Sequence, residues 1–141
     1  MPRVKLQEQT SYEFTYTLTV QAHHLNYGGH VGHNAIVDML WEARVNLLHS
    51  LGMSEGNLGD GETGIIMGDL VVNFKSEAFL FDTLLIESHV GEFHTSSFRI
   101  FHRIIKGNTV IALAETGFIT FNYSRGSIVE IPEPFLKALK K

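Results

Sequence analysis

Between residues 11 and 21 the chain alternates: Tyr12, Phe14, Tyr16, Leu18 and Val20 are separated by Glu13, Thr15, Thr17 and Thr19. A period of two marks a half-buried strand, because successive side chains point to opposite faces. From residue 34 to 51 the period changes. Ile36, Leu40, Ala43, Leu47 and Leu51 recur at helical spacing, and Val37, Trp41 and Leu48 widen the stripe beyond that of an ordinary surface helix. Asp38 and Glu42 lie one turn apart on the narrow polar side. The pattern predicts a long helix, capped by Asn34, terminated by Gly52 and nearly surrounded by protein.

A Gly-rich surface stretch from Gly56 to Gly64 follows, and then strand patterns dominate. Residues 64–75, 82–92, 96–105 and 109–123 each read as a strand. Lys106-Gly107-Asn108 forms a short hairpin turn between the last two. Ser124 to Ser127 makes another turn, and Pro132 and Pro134 introduce a short helix over 134–141. No repeat, low-complexity tract or linker interrupts the order. A strand, a buried helix and four antiparallel strands predict an α+β fold. In it, a sheet of about five strands wraps around one helix, the simplest way to bury that helix on most sides.

The 141 residues fit one domain, 1–141, with a single core. Ten Phe against only 18% charged residues leave much apolar surface to hide, which hints at self-association. A net charge of −4 opposes non-specific nucleic-acid binding, which rests on neutralising phosphates. The absence of cysteine excludes disulfides, thiolate metal sites and Cys nucleophiles. With no apolar signal region at the start and no apolar run approaching a membrane span, a cytoplasmic protein that does not enter membranes is expected.

The candidate chemistry gathers in Asn26-Tyr-Gly-Gly-His-Val-Gly-His-Asn34, immediately before the helix. Its glycines allow close approach by a ligand or another backbone. The first N–H groups of a helix lack intrahelical partners and carry positive partial charge. Unpaired donors beside an imidazole suit a reaction that develops an oxyanion. A plain helix cap with a Gly-rich approach is the bland account of the same residues.

In the order and spacing of its motifs the chain resembles the hotdog-fold acyl-CoA thioesterases. The nearest branch holds 4-hydroxybenzoyl-CoA thioesterase and the small Tol-Pal-associated bacterial thioesterases. The matching residues are Asn26, Gly29, His30, Val31 and His33, then Glu42-Ala43-Arg44 in the helix. Further on come Phe74-Lys75-Ser76-Glu77-Ala78 with Asp82, then Ala114-Glu115-Thr116, and Gly126 to Pro132. Each motif alone is weak; together they cover nearly the whole chain. The resemblance implies a hotdog fold and hydrolysis of an acyl-CoA or acyl-carrier-protein thioester, with no metal and no bound cofactor. It also implies a homodimer joined edge to edge, or a dimer of dimers, with active sites at the subunit interface. The thioester carbonyl would then accept a hydrogen bond from the N–H of His33.

One position departs from the family. Its loop carboxylate falls on Asn26, and an amide orients water but takes no proton near neutral pH. The catalytic candidates are therefore Asn26, His33, Glu42 and His30, with His33 the first choice as base. Glu42 lies roughly 12 Å along the helix from its start, too deep for the same subunit's site. A sister hotdog branch, however, uses a helix carboxylate on the neighbouring subunit's site; Asp38 is a further acid there. Against catalysis, Glu42 would pair with a strand partner and His30 would satisfy loop backbone. Gly29, Asn34, Lys75 and Ser76 are the substrate-contact candidates, with Asn34 first a cap and Lys75 a cation for CoA phosphates or a solvated charge. His23 and His24 with His30 and His33 make a poor metal set, since a Gly-rich turn fixes no shared ligand face. Arg99 and Arg103 alternate on a surface face. The alternative functions are a non-catalytic acyl-thioester binding protein or another hotdog enzyme such as a dehydratase, and Asn26 is the feature that favours them.

Overall fold

The computed structural model describes residues 2–140. β1 (Phe14–Thr19) turns Phe14, Tyr16 and Leu18 inward and its threonines outward, as its alternation predicts. A 3-10 turn at Ala22–His24 and the Gly-rich loop lead into α1 (His33–Ser50). β2 (Thr63–Phe74), β3 (Thr83–Gly91), β4 (Ser97–Lys106), β5 (Thr109–Asn122), β6 (Ser127–Ile128) and α2 (Glu133–Leu139) follow. The strands form one antiparallel sheet in the order β1-β3-β4-β5-β2, with β6 paired to β5. β1 and β2 occupy opposite edges, so the chain must cross the sheet between them, and α1 makes that crossing. β6 contributes two residues to the sheet where the sequence suggests only a turn. Two residues are too few to display a period.

The inner face of the sheet carries Leu84, Ile86, Ile100, Ile104, Ala112, Ala114 and Phe118, all buried. Toward the start of α1 these pack on Ala35, Ile36, Met39, Leu40 and Ala43. Toward its end, Leu47 and Leu48 join Phe98, Phe118 and Phe135. Alanines on both surfaces bring helix and sheet close together. α2 is anchored by its one buried residue, Phe135, whose ring lies 5.0 Å from that of Phe98; burying such a side chain is worth roughly 1.5–3 kcal/mol. Of the expected helix 134–141, Lys141 lies outside the described residues.

Two features of α1 differ from expectation. It is not nearly surrounded: Trp41 is 52% and Val45 42% exposed, on a strip that also carries Asn34, Asp38 and Glu42. Nor is Asn34 its cap. Gly32 holds that position without any side-chain cap bond, and the helix starts at His33. Backbone bonds fix the start instead, from Val31 N–H to Ala78 O at 2.8 Å and from Gly32 N–H to His24 O at 3.0 Å. The end is as predicted: Gly52, at φ +74°, takes the left-handed turn that stops the helix.

Residues 4–12 lie across the outer face of the sheet. The buried Asn73 carboxamide accepts from Leu6 N–H at 2.8 Å and donates to Val4 O at 2.9 Å. Arg103 pairs with Glu8 and with Glu87, and stacks under the Tyr12 ring. Arg99 pairs with Asp69 and Glu115. The two arginines are thus locked into ion-pair networks, more than the plain surface face that their alternation suggests. Among the described residues no helix is long and apolar enough to cross a membrane.

Candidate active site

The loop before α1 is shaped by its own backbone. Asn26 N–H donates to His30 O at 2.8 Å, and Gly29 N–H to Asn26 O at 3.1 Å. Gly29 adopts φ +82°, which only glycine takes without strain. The Asn26 Oδ1 accepts from Gly28 N–H at 2.9 Å, an Asx turn that commits this oxygen to the loop. A Cβ on Gly32 would lie 2.8 Å from Asn34 Oδ1, so the missing side chain is what lets Asn34 fold back over the helix start. Among the described residues the N–H groups of His33, Asn34 and Ala35 donate to no partner. The positive end of an 18-residue helix is therefore presented bare at the end of this loop.

His33 is exposed on the first turn, with Phe74 edge-on at 6.5 Å between ring centres. Phe74 ends β2 and is itself 57% exposed. Lys75 and Ser76 come next, both exposed, with their N–H groups on Ile111 O at 2.8 and 3.2 Å. The chain thus brings His33, Asn34, Phe74, Lys75 and Ser76 to one end of the molecule. His30 sits behind the loop, with Nδ1 3.3 Å from Val31 O and Nε2 3.8 Å from Glu77.

Glu42 is exposed, and among the described residues it makes no ion pair. The pairing foreseen for it belongs to its neighbour Arg44. That guanidinium is buried, bonds Glu55 at 2.8 Å and lies over the Phe118 ring at 5.0 Å.

His24 and Asp38 line one groove of about 480 Å3 with Asn34, Glu42, Tyr16, Leu18 and Trp41. His24 Nδ1 accepts from Gln21 N–H at 2.9 Å, so the neutral ring carries its proton on Nε2. Burial lowers the His24 pKa, His23 adds to this, and Asp38 opposes it. The 3-10 turn that aims His24 at the helix has no periodic signature, so its partnership with Asp38 leaves no mark in the sequence. Among the described residues no three His, Asp or Glu side chains converge as a metal site requires.

Comparison with known proteins bears on this geometry. The family model of the thioesterase-like superfamily matches residues 20–139. No curated protein matches. Among solved structures, a 1,4-dihydroxy-2-naphthoyl-CoA thioesterase from Synechocystis superposes with a TM-score of 0.81 at 21% identity, covering 91% of this chain and 96% of its own. A gentisyl-coenzyme A thioesterase gives 0.77 at 23% identity, covering 89% and 98%. A hypothetical protein from Aquifex aeolicus gives 0.81 at 24% identity, covering 89% and 98%. The family match over most of the chain, with an antiparallel sheet wrapped on one long helix, makes this protein a hotdog-fold member of the thioesterase-like superfamily.

Proposed function

We propose that this protein hydrolyses an acyl-CoA thioester, or the equivalent thioester on an acyl-carrier protein, to a free acid and a thiol. The observation that carries the proposal is the bare start of α1, with three unengaged N–H groups beside the His33 imidazole. A carbonyl oxygen on the His33 N–H gains most as it becomes an oxyanion, because the donors are fixed before charge develops. His33 takes a proton from the attacking water as its oxygen bonds the carbonyl carbon. The C–S bond then breaks, and His33 returns the proton to the departing thiolate.

Asn26 keeps the loop in shape, since its Oδ1 is already held by Gly28 N–H. Both helix acids share a groove with Asn34, and Asp38 stands one turn nearer the site than Glu42. Lys75, exposed just beyond Phe74, is the cation we assign to the CoA phosphates. The unpaired β2 edge suits a homodimer in which a partner's β2 continues the sheet and closes the His33 side. Tetramers would form by pairing such dimers.

Free-thiol release from a panel of acyl-CoAs tests the proposal. His33→Ala is expected to lower kcat by about 100-fold or more, Asn26→Ala by less, and Glu42→Ala hardly at all. Binding of acyl-CoA without turnover at any chain length would replace hydrolysis by the second reading, an acyl-thioester binding protein, which the amide at Asn26 favours.

A further inference from the structure

Between α1 and β1 runs a trough that the chemistry above does not use. Its upper part, about 480 Å3, opens at Asn34 and is floored by Tyr16, Leu18, Ala35 and Met39. Its lower part is an adjoining cavity of about 200 Å3 lined by Phe14, Ala43 and Leu47, with Glu13, Asn46, Ser50 and Ser88 at its polar end. Tyr16 lines both parts, and Met39 and Ala43 are neighbours one turn apart on the same helix face. We infer that the substrate's acyl group is a linear chain of medium length lying in this trough, with Tyr16 and Ala43 setting the length accepted. This rests on the hydrolase proposal above, which puts the carbonyl on the helix start at His33, next to the Asn34 where the trough opens.

Three observations support the occupant. First, the inward residues of β1 remain only half-buried, so apolar surface is left uncovered along the seam. Second, the charged groups on the upper rim are Asp38 and Glu42, and no Lys or Arg lines either part. An alkyl chain is indifferent to that rim, whereas the phosphates of CoA are repelled by it and turn toward Lys75. Third, the lining changes character with depth. The floor is apolar from Leu18 to Leu47, beneath a polar rim of His23, His24, Asp38 and Glu42. The deep end is polar, where Glu13 lines it and the Ser88 hydroxyl is already paired with His102 at 2.7 Å. A methyl terminus gains nothing by going deeper.

Length follows from the helix. Asn34 to Ala43 spans nine residues, a rise of about 13.5 Å. An extended chain with C–C bonds near 1.5 Å advances about 1.25 Å per methylene, so the apolar stretch holds about ten carbons. Each methylene entering it should raise kcat/KM about fourfold until the trough is full.

Trp41, the one tryptophan of the chain, stands on the upper rim and reports occupancy directly. Titration with CoA, acetyl-CoA, decanoyl-CoA and hexadecanoyl-CoA should change Trp41 emission for decanoyl-CoA and leave it unmoved by CoA and acetyl-CoA. Ala43→Leu should shorten the preferred chain by about three carbons. Tyr16→Ala, at a half-buried position on the edge strand β1, should lengthen it and stands in if Ala43→Leu does not fold. A silent Trp41, or chain-length profiles unchanged in the variants that fold, overturns the trough while thiol release keeps the hydrolase. A Trp41 response without thiol release does the reverse.

Discussion

His102 is the most enclosed titratable side chain of the sheet, 1% exposed. Its Nδ1 meets Ser88 Oγ at 2.7 Å, and Nε2 has no partner. Burial, with the nearby Arg44 cation adding to it, pushes its pKa down from 6.5 to about 3. The unfolded chain therefore takes up this proton near pH 6.5, while the folded protein refuses it until about pH 3. Between those values the unfolded state binds more protons, so stability falls as pH falls, by up to about 1.4 kcal/mol per unit. Asp69 and Asp82, held low by hydrogen bonds from Arg99 and from Phe79 N–H with Lys106, contribute in the same direction but only at more acid pH. His24, lowered by burial, adds to the His102 loss. Urea unfolding should show about 2 kcal/mol less stability at pH 5 than at pH 7. His102→Gln should remove most of that difference, and a slope unchanged in the variant would place the cost elsewhere. Nothing in the sequence singles out His102. It stands in an alternating strand beside Phe101, and only the register that sets Glu87, Ser88 and His89 opposite Arg103, His102 and Phe101 reveals its partner.

Elements were legible in proportion to their length. The period of two in β1 and the helical period over α1 were plain, because many residues repeat one geometric demand. Gly52 was legible as a stop because its role is local. The start of α1 was not, because Val31 and Gly32 borrow acceptors from Ala78 and from His24 rather than from a capping side chain. Arg44 was hidden for the same kind of reason. Its partner Glu55 lies in the loop beyond the helix, where no periodicity connects them. That loop is packed tightly, since a Cβ on Gly64 would strike the Glu55 carbonyl and the Tyr123 ring. Arg44 therefore joins α1 to the approach of β2. Glu55→Ala leaves a buried guanidinium without its counter-charge and should cost about 2 kcal/mol, less than a fully buried pair because Glu55 is partly exposed. Glu55→Gln keeps a hydrogen-bond acceptor and should cost about half as much. Equal midpoints for wild type and Glu55→Ala in chemical denaturation would mean that the guanidinium is held by Phe118 alone.

At the scale of the whole molecule, the sequence suggested an excess of apolar surface, and the structure shows where some of it lies. Ile66 and Met67 on β2 are 39% and 45% exposed, and Phe74 at its end more so. β2 is a 12-residue edge strand, bulged between Met67 and Asp69, with the candidate active site at its end. A long edge with apolar side chains invites pairing with another strand. In the proposed dimer that strand is β2 of a second copy, so one His33 site would be built from two chains. In that dimer half of the site's walls would belong to a neighbour, which no spacing within one chain can encode. Lysine on an edge strand opposes strand addition by repulsion and desolvation. The double variant Ile66→Lys, Met67→Lys is therefore expected to sediment as a single chain where the wild type sediments at twice that mass. Thiol release should fall with it, since His33 would lose the wall that the partner supplies. A variant that is monomeric yet fully active would separate the dimer from the chemistry, and a wild type that sediments as one chain would remove the dimer altogether.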